Sequence, residues 1–143
     1  MSLYLDTSFL VSLYINDRNS RTARERIVSA RPVWFTPLHN AEWEHVIGQH
    51  IFRGELSLSE AQRLSLRLEQ HRAEGRWIAA PIPENAFELC AALGRRYASR
   101  LWMRTLDTLH VACAVELKVE RFWTFDERQA KLAKAEGMKT YLQ

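Results

Sequence analysis

Short apolar runs alternate with longer stretches of helical period along the whole chain. Leu3-Tyr4-Leu5 stops abruptly at Asp6, with Thr7-Ser8 and a second apolar run, Phe9-Leu10-Val11, behind it. A buried strand carrying an aspartate at its carboxyl end, then a tight turn into a helix, accounts for that order. The helix is expected from Phe9 to Tyr14, and Asn16-Asp17 punctuates it. Arg18 to Ala30 follows as a polar helix with Ala23, Ile27 and Ala30 on one face. Val33-Trp34-Phe35 is a second strand, Pro37 breaks it, and His39 to Phe52 is helical up to a stop at Gly54.

Ser57-Leu58-Ser59-Glu60 has the form of a capping box, in which hydroxyl and carboxylate each satisfy a free backbone amide. The helix it opens carries Ala61, Leu64 and Leu68 as a stripe and ends at Gly75. Trp77 to Ile82 is a third strand, closed by Pro81 and Pro83. Asn85 is expected to cap a helix whose Ala86, Leu89, Cys90, Leu93 and Tyr97 face the core. Arg95 to Arg104 interrupts with basic and aromatic residues, and Asp107 opens an apolar helix through Val115. Phe122-Trp123-Thr124 is a fourth strand with Asp126 just past it. Glu127 to Glu136 is helical before Gly137, and Lys139 to Leu142 is a candidate edge strand. Strands separated by helices imply an α/β layered fold, with a mostly parallel sheet of four to five strands flanked by helices.

Composition narrows this picture only a little. A chain of 143 residues is one domain and buries an adequate core without staples. A net charge of +3 permits an anionic partner such as nucleic acid without demanding one. Cys90 and Cys113 form neither a metal-type pair nor a disulfide framework, and Cys113 between alanines is a core residue. No apolar run is long enough to span a bilayer, and no secretory leader pattern is visible, so a cytoplasmic location is expected. His39, His45 and His50 lack the four-residue spacing that puts two imidazoles on one helix face, which argues against zinc.

Four carboxylates stand out by position. Asp6 and Asp126 each follow an apolar strand, Asp107 starts an apolar helix, and Glu42 is expected in the first turn of another. Were the four to meet, they would need a cation, because like charges a few ångströms apart raise one another's pKa. An oxygen-only cluster suits Mg²⁺ or Mn²⁺, and the chemistry that follows is metal-assisted phosphodiester hydrolysis. Each residue also has a second reading: the aspartates as helix N-caps, Glu42 as a favourable charge near a helix N-terminus. His110, one turn beyond Asp107, either faces the site or is a half-buried structural histidine, and the structural reading is preferred.

With those residues in place the sequence resembles the PIN-domain family, and most closely its VapC-type toxin ribonucleases. The resemblance runs nearly end to end. It rests on Leu5-Asp6-Thr7-Ser8, Ala41-Glu42, Leu106-Asp107-Thr108-Leu109-His110 with Ala112 and Ala114, and Thr124-Phe125-Asp126 before Leu132-Ala133 and Gly137. It implies a three-layer PIN-like nuclease domain over residues 1–143. Carried over, Asp6, Glu42, Asp107 and Asp126 become the catalytic, metal-binding acidic set, with Ser8 and Thr124 as supporting hydroxyls. It also implies an Mg²⁺- or Mn²⁺-dependent endoribonuclease, homodimeric, and neutralised by a cognate antitoxin. The alternative is a non-catalytic PIN domain that binds RNA or acts as a scaffold.

The segment Tyr97 to Arg104, with Leu101-Trp102-Met103, is bulkier and more basic than the family pattern at that point. Arg95, Arg96, Arg100 and Arg104, with Tyr97 and Trp102 interleaved, form a candidate RNA grip through phosphate contacts and base stacking. The group Arg18, Arg21, Arg24 and Arg26 reads instead as a solvated helix face. Trp34, Trp43, Trp77 and the Leu58–Leu68 helix offer surplus apolar surface, from which a homodimer is expected. Other classes fail on specific residues. A haloacid-dehalogenase-type phosphatase needs a second carboxylate where Ser8 stands, and no glycine-rich loop supports a dinucleotide module.

Overall fold

The computed structural model describes residues 2–27 and 32–140. Five strands, β1 (Leu3–Leu5), β2 (Val33–Phe35), β3 (Trp77–Ala79), β4 (Arg121–Trp123) and β5 (Lys139–Thr140), form a sheet in the order β3-β2-β1-β4-β5. Every pairing among them is parallel, so the sheet expected to be mostly parallel is wholly so in the described residues. Parallel neighbours need crossovers, and helices supply them. α1 (Thr7–Ser12) and α2 (Ser20–Ile27) join β1 to β2, and α3 (Pro37–Phe52) and α4 (Leu58–Ala73) join β2 to β3. α5 (Ala86–Tyr97) and α6 (Thr105–Glu116) lead to β4, and α7 (Glu127–Ala135) leads to β5.

Side chains alternate across a strand, so the two faces of the sheet collect different partners. Leu3 and Leu5, with Val33 and Phe35, pack against Phe9 and Leu10 of α1, Trp43 and Ile47 of α3, and Leu68 of α4. Tyr4 and Phe122 turn the other way, onto Cys90 and Leu93 of α5, the stretch Leu109 to Ala114 of α6, and Leu132 and Ala133 of α7. The result is three layers. Burying Leu5, Phe9 and Phe122 contributes about 1.5–3 kcal/mol each. That exceeds the roughly 1 kcal/mol of a helix cap, so losing one cap leaves the fold standing.

Local chemistry explains the element boundaries. Thr36 caps α3 and Pro37 is its first residue, so the proline starts the helix as well as ending the strand. The Ser57–Glu60 capping box forms as expected, at 3.0 Å in both directions. Gly54 and Gly75 follow α3 and α4 with φ of 74° and 78°, which glycine adopts without a Cβ penalty. β3 ends at Ala79, short of the expected Ile82, because Pro81 and Pro83 have no amide hydrogen for the ladder.

Several expectations need correction. Asn85 makes no side-chain cap; its backbone sits at φ −90°, ψ 5°, away from the extended geometry a cap uses. Arg95 to Tyr97 complete α5 instead of interrupting it. Glu42 lies in the second turn of α3, where a charge gains little from the helix dipole. Trp43 and Trp77 are buried, so they are core and not spare surface. The Leu58–Leu68 helix does expose apolar side chains, at Leu58 and Leu66, and Phe52 and Phe87 add others outside it. Residues 28–30 of the expected second helix and 141–142 of the expected edge strand lie outside the described residues.

Candidate active site

The strand order changes direction between β1 and β4, and in open parallel sheets that switch opens a crevice beyond the carboxyl ends of the strands. Asp6 and Asp126 follow those two strands. The Asp6 amide donates to the Trp123 carbonyl at 3.2 Å, carrying the ladder to the edge of the crevice. Asp6, Glu42, Asp107 and Asp126 all line one cleft of about 350 Å³, together with Ser8, Arg104 and His110. A larger cavity of about 650 Å³ lies between α1, α2 and α4, lined by Arg24, Arg67, His71, Arg76 and Trp77. It holds no carboxylate among the described residues and is no candidate for this chemistry.

Asp6 is buried and caps α1: one carboxylate oxygen accepts from the Phe9 amide at 2.9 Å, the other from the Ser8 hydroxyl at 2.7 Å. Burial raises its pKa above the ordinary aspartate range, against the pull of the Ser8 and Phe9 hydrogen bonds. Asp126 caps α7, accepting from Arg128 and Gln129 amides at 2.9 and 3.1 Å, and the Thr124 hydroxyl accepts from the Asp126 amide. The Ser8 hydroxyl thus meets one carboxylate of the acidic set, and the Thr124 hydroxyl meets the backbone of another.

Glu42 is held from two sides. The Thr7 hydroxyl donates to its Oε1 at 2.7 Å, and His110 Nε2 donates to the same oxygen. His110 is fully buried, and the Tyr4 hydroxyl meets its Nδ1 at 2.7 Å. His110 thus bridges the Glu42 carboxylate through Nε2 and the Tyr4 hydroxyl through Nδ1. Burial alone would raise the Glu42 pKa, but the His110 and Thr7 contacts outweigh it and hold the group below its ordinary range. His110 is therefore structural in its burial and a site residue in its contact. His39 is buried beside it, donating Nε2–H to the Leu5 carbonyl at 2.7 Å, and burial with the neighbouring His110 lowers its pKa to about 3. That neutral ring ties α3, and so Glu42, to β1.

Asp107 behaves differently. It is the third residue of α6, and Arg104 occupies the cap position, so Asp107 is no N-cap. Neither of its carboxylate oxygens has a hydrogen bond among the described residues, while its backbone carbonyl accepts from the buried Gln129 side chain at 3.0 Å. Burial and then the nearby Asp126 charge raise its pKa, with Arg104 opposing. Gln129 escaped the sequence reading because a glutamine inside an amphipathic helix carries no signal; Thr7 did have one, standing beside Asp6.

The donor set fits a hard divalent cation: oxygen only, with Asp107 unpartnered and repelled by Asp126. Among the described residues, no three His, Cys, Asp or Glu groups close tightly around a common point. Of the basic residues expected to grip RNA, only Arg104 lines the cleft. Arg96 pairs with Glu136 at 3.5 Å, Arg100 donates to the Arg96 carbonyl, and both guanidinium groups lie over Tyr97. Arg95 is exposed at the end of α5.

Three solved structures share this architecture over almost their whole length. VapC20 of Mycobacterium tuberculosis, described as a Sarcin-Ricin loop cleaving toxin, aligns at 16% identity and a TM-score of 0.67, covering 90% of this chain and 93% of its own. FitAcB from Neisseria gonorrhoeae aligns at 20% identity and 0.70, covering 97% and 96%. VapBC2 from Rickettsia felis, bound to a DNA fragment from its promoter, aligns at 11% and 0.69, covering 98% and 97%. Identities this low speak to the fold alone. No curated protein matches the chain in sequence. The model of the PIN domain family does match, over residues 3–135. With that match spanning nearly all of it, the chain belongs to the PIN-domain family.

Proposed function

We propose that the protein is an Mg²⁺- or Mn²⁺-dependent endoribonuclease, the toxin of a type II toxin–antitoxin pair. The observation that carries this reading is the convergence of Asp6, Glu42, Asp107 and Asp126 on one cleft at the carboxyl edge of the sheet. Asp6, Glu42, Asp107 and Asp126 would hold the ion between them, Glu42 and Asp126 through the oxygen that is not already hydrogen-bonded. Once bound, the ion supplies an activated water and stabilises charge on the phosphate and the leaving oxygen.

The chain's own residues do the remaining work. Thr7 and His110 fix Glu42 by one oxygen and leave the other for the cleft. The caps at Asp6 and Asp126 set both carboxylates by backbone geometry, which needs no reorganisation during turnover. Arg104 brings positive charge to the cleft, where a phosphate oxygen would meet it. Arg95, Arg96 and Arg100 extend that charge along the surface.

Support for the toxin role and for a looped substrate comes from VapC20, described as a Sarcin-Ricin loop cleaving toxin, on the same fold. An antitoxin would cover apolar surface, and Phe52, Leu58 and Leu66 on α3 and α4 are 93%, 65% and 64% exposed. The homodimer belongs to the same proposal, as does a cytoplasmic location; no helix of the described residues is long and apolar enough to cross a membrane. The test is cleavage of a looped RNA by purified protein with Mg²⁺ or Mn²⁺, stopped by a chelator. Undiminished cleavage in excess chelator would overturn the metal mechanism.

A further inference from the structure

We infer that Trp102 is a stacking platform for one unpaired base of the RNA, on the segment that leads into the carboxylate cleft. The inference rests on the ribonuclease reading above and names a feature of its substrate. A single exposed aromatic residue is ordinary on a protein surface, so exposure alone decides nothing. The placement decides it. Leu101 and Met103 pack into the core beside α5 and α6, which fixes the loop and turns the indole between them outward, 63% exposed.

Both segments that hold the indole belong to the acidic site. Arg104, two residues on, lines the cleft, and Asp107 is a turn further. From α7 the Arg128 guanidinium lies over the Trp102 ring at 6.0 Å, while the Arg128 amide donates to Asp126 Oδ1 at 2.9 Å. Gln129 clamps the two segments together through the Asp107 carbonyl. An indole with a cation against one face leaves the other face for a planar group. Every nucleobase has a π-face, and base–aromatic stacking is how proteins grip splayed, unpaired bases.

Tyr97, the other aromatic side chain of this segment, is not equivalent. Its hydroxyl donates to Glu136 at 2.8 Å and Arg96 and Arg100 lie over its ring, so it is already engaged. Trp102 is the one of the pair with a face to offer, beside a cationic side chain suited to the adjoining phosphate.

The experiment measures kcat/KM on an RNA hairpin in Mg²⁺ for wild type, Trp102→Ala and Trp102→Phe, with an abasic residue walked through the loop. Melting curves establish that the variants are folded. Trp102→Ala should lose roughly five- to a hundredfold, the range for one lost stack, and Trp102→Phe much less. At one loop position the abasic substitution should cost wild type a similar factor and Trp102→Ala little more. A purely structural role would not produce that coupling. Trp102→Ala within twofold of wild type on a hairpin that wild type cleaves overturns the inference and leaves the ribonuclease reading intact. So does a variant altered only in sedimentation, which would make Trp102 a protein contact. A wild type that cleaves no RNA overturns both.

Discussion

Two kinds of acidic residue meet in the cleft, and they reached it by different routes. Asp6 and Asp126 stand where strands give way to helices, and each satisfies backbone amides at a helix start. Glu42 and Asp107 ride on α3 and α6 and cap nothing. For the first pair, local structure already explains an aspartate, and capping and chemistry are compatible uses of one carboxylate. For the second pair it explains nothing. Glu42 is held by Thr7 and His110, whereas Asp107 is held by no hydrogen bond and faces Asp126. A half-buried carboxylate repelled by its neighbour would gain from a cation, which is why the proposed metal site centres on Asp107.

The largest expected contrast is in activity. Asp107→Asn and Asp6→Asn should each lower cleavage of a looped RNA by at least about a hundredfold in Mg²⁺, because the ion loses a charged ligand. A variant of either that cleaves within tenfold of wild type removes that residue from the site.

The next effect is on stability and falls on the support of Glu42. His110→Ala should destabilise the metal-free protein by about 2–3 kcal/mol, since the Tyr4 hydroxyl is left unsatisfied in the core and Glu42 loses a donor. Urea titration measures this directly. A loss under about 0.5 kcal/mol would mean that this contact does not tie α6 to α3.

Capping gives a smaller effect and separates the two pairs cleanly. Asp126→Ala should be about 1 kcal/mol less stable than Asp126→Asn, roughly 2–4 °C in a domain of this size, because both remove the charge that repels Asp107 and only asparagine keeps the cap. Asp107→Ala should show no capping loss at all. Equal losses at the two positions, read from melting curves, would erase the distinction.

The smallest effect is in pH dependence. Asp6 and Asp107 have pKa values raised from the ordinary 3.8, so in metal-free protein their contribution favours folding below that pH. It is lost as pH rises through the raised values. Glu42, lowered from 4.5, has the opposite sign: its contribution is present above that pH and lost as pH falls through the lowered value. In chelator, Asp107→Asn should therefore gain on wild type as pH rises from 4 to 7. A constant gap between the two melting curves across that range would contradict the repulsion.

What the sequence disclosed was mostly local. The Ser57–Glu60 box, the glycine stops and the strand-end positions of Asp6 and Asp126 are written within a few neighbouring residues. All four acids stood out by position, and the family resemblance then gave them a shared role. What stayed hidden depends on distant partners. Glu42 and His110 are 68 residues apart, so their bond gave no sign in either segment. Arg96 looked free until α7 brought Glu136 beside it, 40 residues away. Trp43 and Trp77 read as surplus surface because only the packing of α3 and β3 under α4 and α1 buries them.

The central claim is that Asp107 joins Asp6, Glu42 and Asp126 in one cation site, and melting curves test it without any substrate. Wild type and Asp107→Asn are each melted at neutral pH with chelator and with Mg²⁺. The account predicts that Asp107→Asn melts above wild type in chelator, because one repelling charge is gone. It predicts that Mg²⁺ raises the wild-type melting temperature by mass action and raises that of the variant much less. Equal melting temperatures in all four conditions would contradict it, leaving Asp107 a half-buried residue of α6 and the four carboxylates neighbours without a shared ion.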